Sequence, residues 1–455
     1  FNVGVFVGLI GVLFCSVLGG MRSVTWTQVA QYIILITSYL VPVVVLSWQL
    51  FSNPIPQLAY GKVLQLNNQS ALAITRDPQE KATREIWKAE AAAADAKIKD
   101  PATSAEEKTK LTAAQKTATT QAKAPAASDE ATIGNYLTVP KGKGMWNFLA
   151  LTFCLMVGTA GLPHILARYY TTPSVREART SVGWSLFFIF LLYFTAPAYA
   201  AFARFSVYTK LVGSKIADLP SWVTLWKPAG LFDVIDKAGD GIVQLADFVI
   251  KSSDFVVLAT PEIAGLPFVV TGLIMAGGLA AALSTADGLL LTIANGISHD
   301  LYYKVINPQA TLLRRLTITK VLLIVTALIA AWVATFRLAI IVELVAWAFS
   351  LAGASFFPAL VMGIWWKRAN KPGAVAGMAA GLLTTLVYMI GSRFYGMSWF
   401  GTTTIASGVF GIPAGFLTIY IVSKLTAAPP VDMPELVANV RYPTGGGRTT
   451  VAQST

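Results

Sequence analysis

The chain has 455 residues, of which 55% are hydrophobic and only 13% charged, and its formal net charge is +12. So few charges exclude an ordinary soluble domain, in which about a quarter of residues are charged. The Lys and Arg excess is gathered in loops and tails, so it sets membrane orientation and is no nucleic-acid footprint.

Apolar runs long enough to cross a hydrocarbon core of about 30 Å recur along the chain. In lipid they satisfy their own backbone only as helices. They predict an all-α membrane protein, a polytopic helical bundle of about nine transmembrane helices. The spans are placed at 3–20, 26–50, 145–167, 182–207, 267–298, 317–336, 339–365, 373–392 and 402–424.

If the first span enters from outside, alternate turns hold Arg22, then Arg168, Arg176 and Arg179, then Lys304, Arg314, Arg315 and Lys320, then Lys367, Arg368 and Lys371, and last Lys424. The opposite short turns offer little beyond Arg337 and Arg393. By the positive-inside rule the basic turns and the C-terminus are cytoplasmic, in a multi-pass protein of the cytoplasmic (inner) membrane. The first apolar run starts almost at Phe1 with no charged region before it, so the chain is expected to be truncated at its start. Cys15 and Cys154 lie within apolar runs and imply no disulfide framework.

Four regions follow: transmembrane helices over 1–51, an extracytoplasmic Ala-rich charged insertion over 52–144, a transmembrane core over 145–425 with an extracytoplasmic loop at 208–266, and a disordered cytoplasmic tail over 426–455. Within the insertion, Asp77 to Lys123 suits an exposed helix or helix pair broken at Pro101, with too few apolar residues for a core. It is expected to be a solvated appendage.

In the loop, Asp236, Asp240, Gly241, the Ile242 carbonyl and Asp247 take the first, fifth, sixth, seventh and twelfth places of a calcium-loop pattern. Ala238 breaks it at the third. A weak Ca2+ site and a turn that merely keeps the shape both remain open on this pattern.

The third span contains Gly158, Thr159, Gly161 and Pro163. Flexible glycines followed by a proline that cannot donate to the helix ladder predict an interruption, tolerated only where it faces protein or a cavity. These four are the candidate solute-binding residues.

The span from Pro267 carries Ser284 and Thr285 three and four residues after Ala281, so both hydroxyls can reach that carbonyl. Gly278, Ala280, Ala281 and Gly288 let a second helix come close. Asp287, three residues past Ser284, costs several kcal/mol in lipid unless paired, protonated or hydrated, and points to function. Ala281, Ser284, Thr285 and Asp287 form the candidate cation set. No nucleophile–base pair, phosphate loop or metal-ligand cluster suggests an enzyme.

Several separated motifs resemble the sodium:solute symporter family. They are GGMRSVTWTQVAQ (Gly19–Gln31), GLPHILARYYTTPSVREARTS (Gly161–Ser181), AAALSTADGLLLTIANGISHDLY (Ala280–Tyr302), and the Trp365-Trp366-Lys367-Arg368 turn followed by GAVAGMAAG. The second is similar to that of acetate permeases, with proline-permease likeness in GLPHILAR.

The resemblance implies part of a five-plus-five inverted-repeat core that couples Na+ to a small organic solute, a monocarboxylate such as acetate, near the bilayer midplane. It also implies that the ion site is shared by the helix of Ala281, Ser284 and Thr285 and by an unwound first core helix. Residues 1–20 match the fourth core helix, so the expected partners are the lipid bilayer, the solute and missing N-terminal core helices of the same protein. Gln28 stands where many members have an Asp, which suggests that the negative charge has moved to Asp287. The alternative is a transporter-like sensor serving a signalling partner.

Overall fold

Helix α1 (Asn2–Phe51) spans 50 residues, with Gly20 as its one non-helical position (φ 59°, ψ −156°). At 1.5 Å per residue that length is more than twice what a bilayer of about 30 Å needs. The neighbours of its two halves explain the excess. Gly11 approaches Leu283 and Ser16 bonds Asp287, so the first half runs parallel to the helix of the candidate cation set. Gln28 bonds Ser284 and Ser38 abuts Gly277, so the second half runs against it. The chain therefore reverses at Gly20, in a left-handed backbone conformation that glycine adopts without a Cβ clash. The computed structural model describes residues 2–100, 103–123, 142–228, 230–250, 255–336, 338–430 and 432–441.

After α1 come α2 (Pro56–Arg76), α3 (Pro78–Lys99), α4 (Ala105–Gln121), α5 (Lys143–Gly161), α6 (Pro163–Tyr169) and α7 (Val175–Lys210). The loop then holds α8 (Ser221–Trp226), strands β1 (Phe232–Val234) and β2 (Phe248–Ile250), and α9 (Val256–Ile263). The helix that carries the candidate cation set, referred to below as the ion helix, is α10 (Phe268–Asn295), continued by a π-helical stretch, Gly296–Ile306. It is followed by α11 (Leu312–Ala334), α12 (Ile341–Trp365), α13 (Lys371–Tyr395), α14 (Gly408–Leu425) and α15 (Met433–Arg441). Among the described residues eight helices are long and apolar enough to cross a membrane, and the reversal at Gly20 makes two passes of the first. The protein is an all-α polytopic membrane protein, and among the described residues its sheet is one two-stranded ladder pairing Phe232 with Ile250.

The chain forms two compact units, Phe1–Thr138 with Ser185–Phe336, and Val139–Trp184 with Arg337–Thr455. The first is built on α1 against α10, with Val24, Leu291, Ala294 and Leu323 buried together. In α2, Ala59, Val63, Leu64, Asn67, Ala71 and Ile74 recur at helical spacing and are buried. That stripe packs on Val43, Leu46, Ala198 and Phe202, while Asn67 donates to the Ala201 carbonyl at 2.9 Å.

Helices α3 and α4 depart from the expected appendage. Trp87 is buried with Ala118, Ala246 and Val249, so the hairpin borrows its core from the loop. The hairpin of the insertion and the loop therefore pack together. Asp77 caps α3 and Ser104 caps α4, each accepting from first-turn amides.

The second unit is held by close backbone approaches. A Cβ at Gly381 would meet the Ala354 carbonyl, and one at Gly411 would meet Thr385 and the Gly381 carbonyl. The tail expected to be disordered contains α15 over Met433–Arg441. Arg337, Pro101 and residues 124–141, 251–254 and 442–455 lie outside the described residues.

Candidate ion and solute sites

Helix α10 is unbroken through the cation set. Ser284 Oγ donates to the Ala281 carbonyl at 2.9 Å, and Thr285 Oγ1 donates to the same oxygen at 3.3 Å. The three oxygens thus gather on one turn, as the i+3 and i+4 spacing predicts. A hydroxyl that donates its proton keeps lone pairs for a cation. Ala281 also borders a cleft of about 330 Å³ lined by Ser38, Tyr39, Tyr193, Val257, Leu258 and Gly278 among others.

Asp287 takes a different face. It lies two residues beyond Thr285, about 200° around the helix. Thr285 is exposed, whereas Asp287 is 1% exposed against α1. Its Oδ1 accepts from Ser16 Oγ at 2.5 Å, and its Oδ2 has no hydrogen-bond partner. The structure therefore keeps Ala281, Ser284 and Thr285 together and sets Asp287 apart from them. Gln28, from the other half of α1, donates Nε2 to the Ser284 carbonyl at 2.6 Å. Its amide meets a backbone oxygen of the cation turn. Ser16 was not among the sequence candidates, because a lone serine in an apolar run carries no distinguishing pattern.

The solute candidates lie in the second unit. α5 ends at Gly161, Leu162 is extended (φ −68°, ψ 119°), and α6 begins at Pro163. The predicted interruption is present, and Pro163 occupies a first-turn position where no amide is needed. A Cβ at Gly158 would stand 2.5 Å from the Phe349 carbonyl oxygen, and one at Gly161 would stand 2.9 Å from that of Ala352. Both glycines are taken up by packing on α12, which leaves no solute space at those two positions. Thr159 is exposed and donates back to Leu155 at 2.7 Å.

The calcium pattern resolves into a self-closed turn. Asp236 accepts from the amides of Gly239 and Gly241 at 2.6 and 3.0 Å. Asp240 accepts from the Ile242 amide and from Gln244 Nε2, both at 2.9 Å. Asp247 accepts from the amides of Lys237 and Gln244 at 3.3 and 2.9 Å. Every carboxylate oxygen of the pattern is engaged within the loop, and Ala238 offers no ligand. The residues do not fit a Ca2+ cage. Among the described residues no group of three or more His, Cys, Asp or Glu could hold a metal ion. Burial pushes the Asp247 carboxyl up to about 6; the two amide bonds oppose that shift, and the Asp236 and Glu80 charges add to it.

The sodium:solute symporter family model matches residues 242–381. The chain is 44% identical to an uncharacterised symporter of Cupriavidus necator, across 95% of this chain and 70% of that protein. It is 27% identical to a monocarboxylic acid transporter of Corynebacterium glutamicum, across 66% of this chain and 50% of that one. It is 28% identical to an uncharacterised symporter of Bacillus subtilis, across 68% and 54%. The chain thus spans about half the length of the last two. Among solved structures, a Na+-coupled sialic acid symporter in a substrate-bound outward-open state shares the fold, with a TM-score of 0.52 and 15% identity over 94% of this chain and 67% of that one. The span arrangement, the motif-bearing ion helix and the extent of the Cupriavidus match agree: the chain belongs to the sodium:solute symporter family, a family of membrane transporters and not of enzymes.

Proposed function

We propose that the protein carries a small organic solute, a monocarboxylate such as acetate, across the cytoplasmic membrane together with Na+. The observation that carries this reading is the convergence of the Ser284 and Thr285 hydroxyls on the Ala281 carbonyl. Hard cations prefer oxygen ligands of this kind. Family membership supports sodium as the ion, and likeness to a monocarboxylic acid transporter supports the solute class.

In this reading Ala281, Ser284 and Thr285 contribute ligands, while Asp287, turned to Ser16 of α1, is not one of them. Ion and solute then stabilise one conformation jointly, which is what couples their movements. The solute contacts are assigned to the α5–α6 interruption, with Thr159 and Pro163 as its remaining candidates beside the packed Gly158 and Gly161. The basic turns carrying Arg168, Lys304, Arg315 and Lys367 support a cytoplasmic C-terminus.

The test is uptake of labelled acetate, propionate and proline by the intact protein in proteoliposomes, with and without an inward Na+ gradient. Gradient-driven uptake of a monocarboxylate is expected. Solute binding without uptake under any gradient would support the sensor.

A further inference from the structure

The α3–α4 hairpin grips the loop through three separate contacts. Glu80 Oε2 accepts from the Leu245 amide at 2.7 Å and Oε1 from the Ala246 amide at 3.1 Å, so this buried carboxylate caps the short helical turn Leu245–Asp247. Arg84 pairs with Glu80 and donates to the Gln121 carbonyl at 3.1 Å and to that of Lys123, tying the hairpin's two helices together. Gln121 Nε2 donates to the Phe248 carbonyl at 2.8 Å. Lys237 lies over the Trp87 ring at 4.3 Å and bonds Glu90 at 2.6 Å.

The gripped segment does not end at the hairpin's contact. Phe248 stacks on Phe232, which also packs on Phe255 at 5.4 Å, and Phe255 begins the turn into α9. Ala259 and Ile263 of α9 are buried in the same cluster, and Trp226 Nε1 donates to Glu262 at 2.9 Å. On its other side α9 lies against the ion helix, where Leu258 occupies the space that a Cβ on Gly278 would need. Val257 and Leu258 line the cleft that Ala281 borders. Helix α2, which leads into the hairpin, is anchored separately, since Gln57 bonds Thr195 and Asn67 bonds Ala201 on α7.

We propose that the α3–α4 hairpin is a brace that fixes α9 on the ion helix, with Glu80 and Trp87 as positioning residues for cation binding at Ala281, Ser284 and Thr285. Strand β2 carries Val249 into the Trp87 cluster and Phe248 into the cluster that holds α9, so backbone and side-chain contacts together join Trp87 and Glu80 to the helix bearing Leu258, and loosening one end moves the wall of the cleft at the other. The proposal rests on the sodium reading only for its effect on ion affinity.

The experiment compares wild type with Glu80→Gln, Trp87→Ala and the conservative Trp87→Phe in the intact protein. It reads hydrogen exchange at residues 245–250 and 256–263, together with the Na+ dependence of uptake. Glu80→Gln and Trp87→Ala should speed exchange in both segments. They should also raise the half-saturating Na+ concentration about fivefold, with maximal uptake within about twofold of wild type. Trp87→Phe should restore both. Faster exchange confined to 245–250 with unchanged Na+ dependence would overturn the proposal and leave the hairpin a passive attachment. If wild-type uptake ignores Na+, the sodium reading fails by itself; the brace is then judged on exchange at 256–263, where no change would refute it.

Discussion

Ser16 donates its hydroxyl to Asp287 at 2.5 Å across a sequence separation of 271 residues, and among the described residues this is the one hydrogen bond that the buried carboxylate receives. The bond ties the first half of α1 to the ion helix, while Gln28 ties the second half to it at Ser284. The reversal at Gly20 is what lets one helical run flank α10 twice.

Removing the Ser16 hydroxyl leaves Asp287 buried with neither oxygen bonded. Ser16→Ala should cost about 1–3 kcal/mol. A drop in the melting temperature of the purified protein checks this, and Asp287→Asn should make the Ser16→Ala loss smaller because the two act as a pair.

The glycine contacts in the second unit are steric. Gly158→Val would press a branched side chain on the Phe349 carbonyl and should prevent recovery of monodisperse protein, whereas Thr159→Val, at an exposed position, should be recovered normally. Size-exclusion profiles in detergent decide between them.

The loop should respond to pH in a defined direction. The Asp247 carboxyl titrates near about 6 when folded, against 3.8 ordinarily, so the closed loop binds a proton more readily than the open one. The stability this provides is present in full below the ordinary value and is lost as pH rises through about 6. Hydrogen exchange at 237–249, corrected for its intrinsic pH dependence, should show protection falling over that range. Asp247→Asn should flatten it.

Calcium should leave the loop unchanged. Because the carboxylates of Asp236, Asp240 and Asp247 are satisfied by the loop's own donors, neither added Ca2+ nor chelator should shift the melting temperature. A saturable Ca2+-dependent rise would contradict the self-closed turn.

Much of the fold was legible in the sequence because lipid imposes long apolar helices and sorts the basic turns, and the hydroxyl spacing after Ala281 was legible because it is local. Long-range partners were not. Trp87 looked exposed among alanines and charges because its packing surface comes from Ala246 and Val249, far along the chain. The acidic loop pattern fits both a cation and a turn, and only the amide positions distinguish them. Gly158 and Gly161 signalled a special backbone, but close packing and a solute space call for the same small residues.

The most direct test of the central claim is the Na+ dependence of uptake in Ser284→Ala and Thr285→Ala variants of the intact protein. Each removes one hydroxyl that converges on Ala281 and leaves the helix intact. The account predicts that half-saturating Na+ rises about tenfold or more, a loss of about 1.4 kcal/mol or greater, while solute binding measured at saturating Na+ persists. Unchanged Na+ dependence in both variants would contradict it.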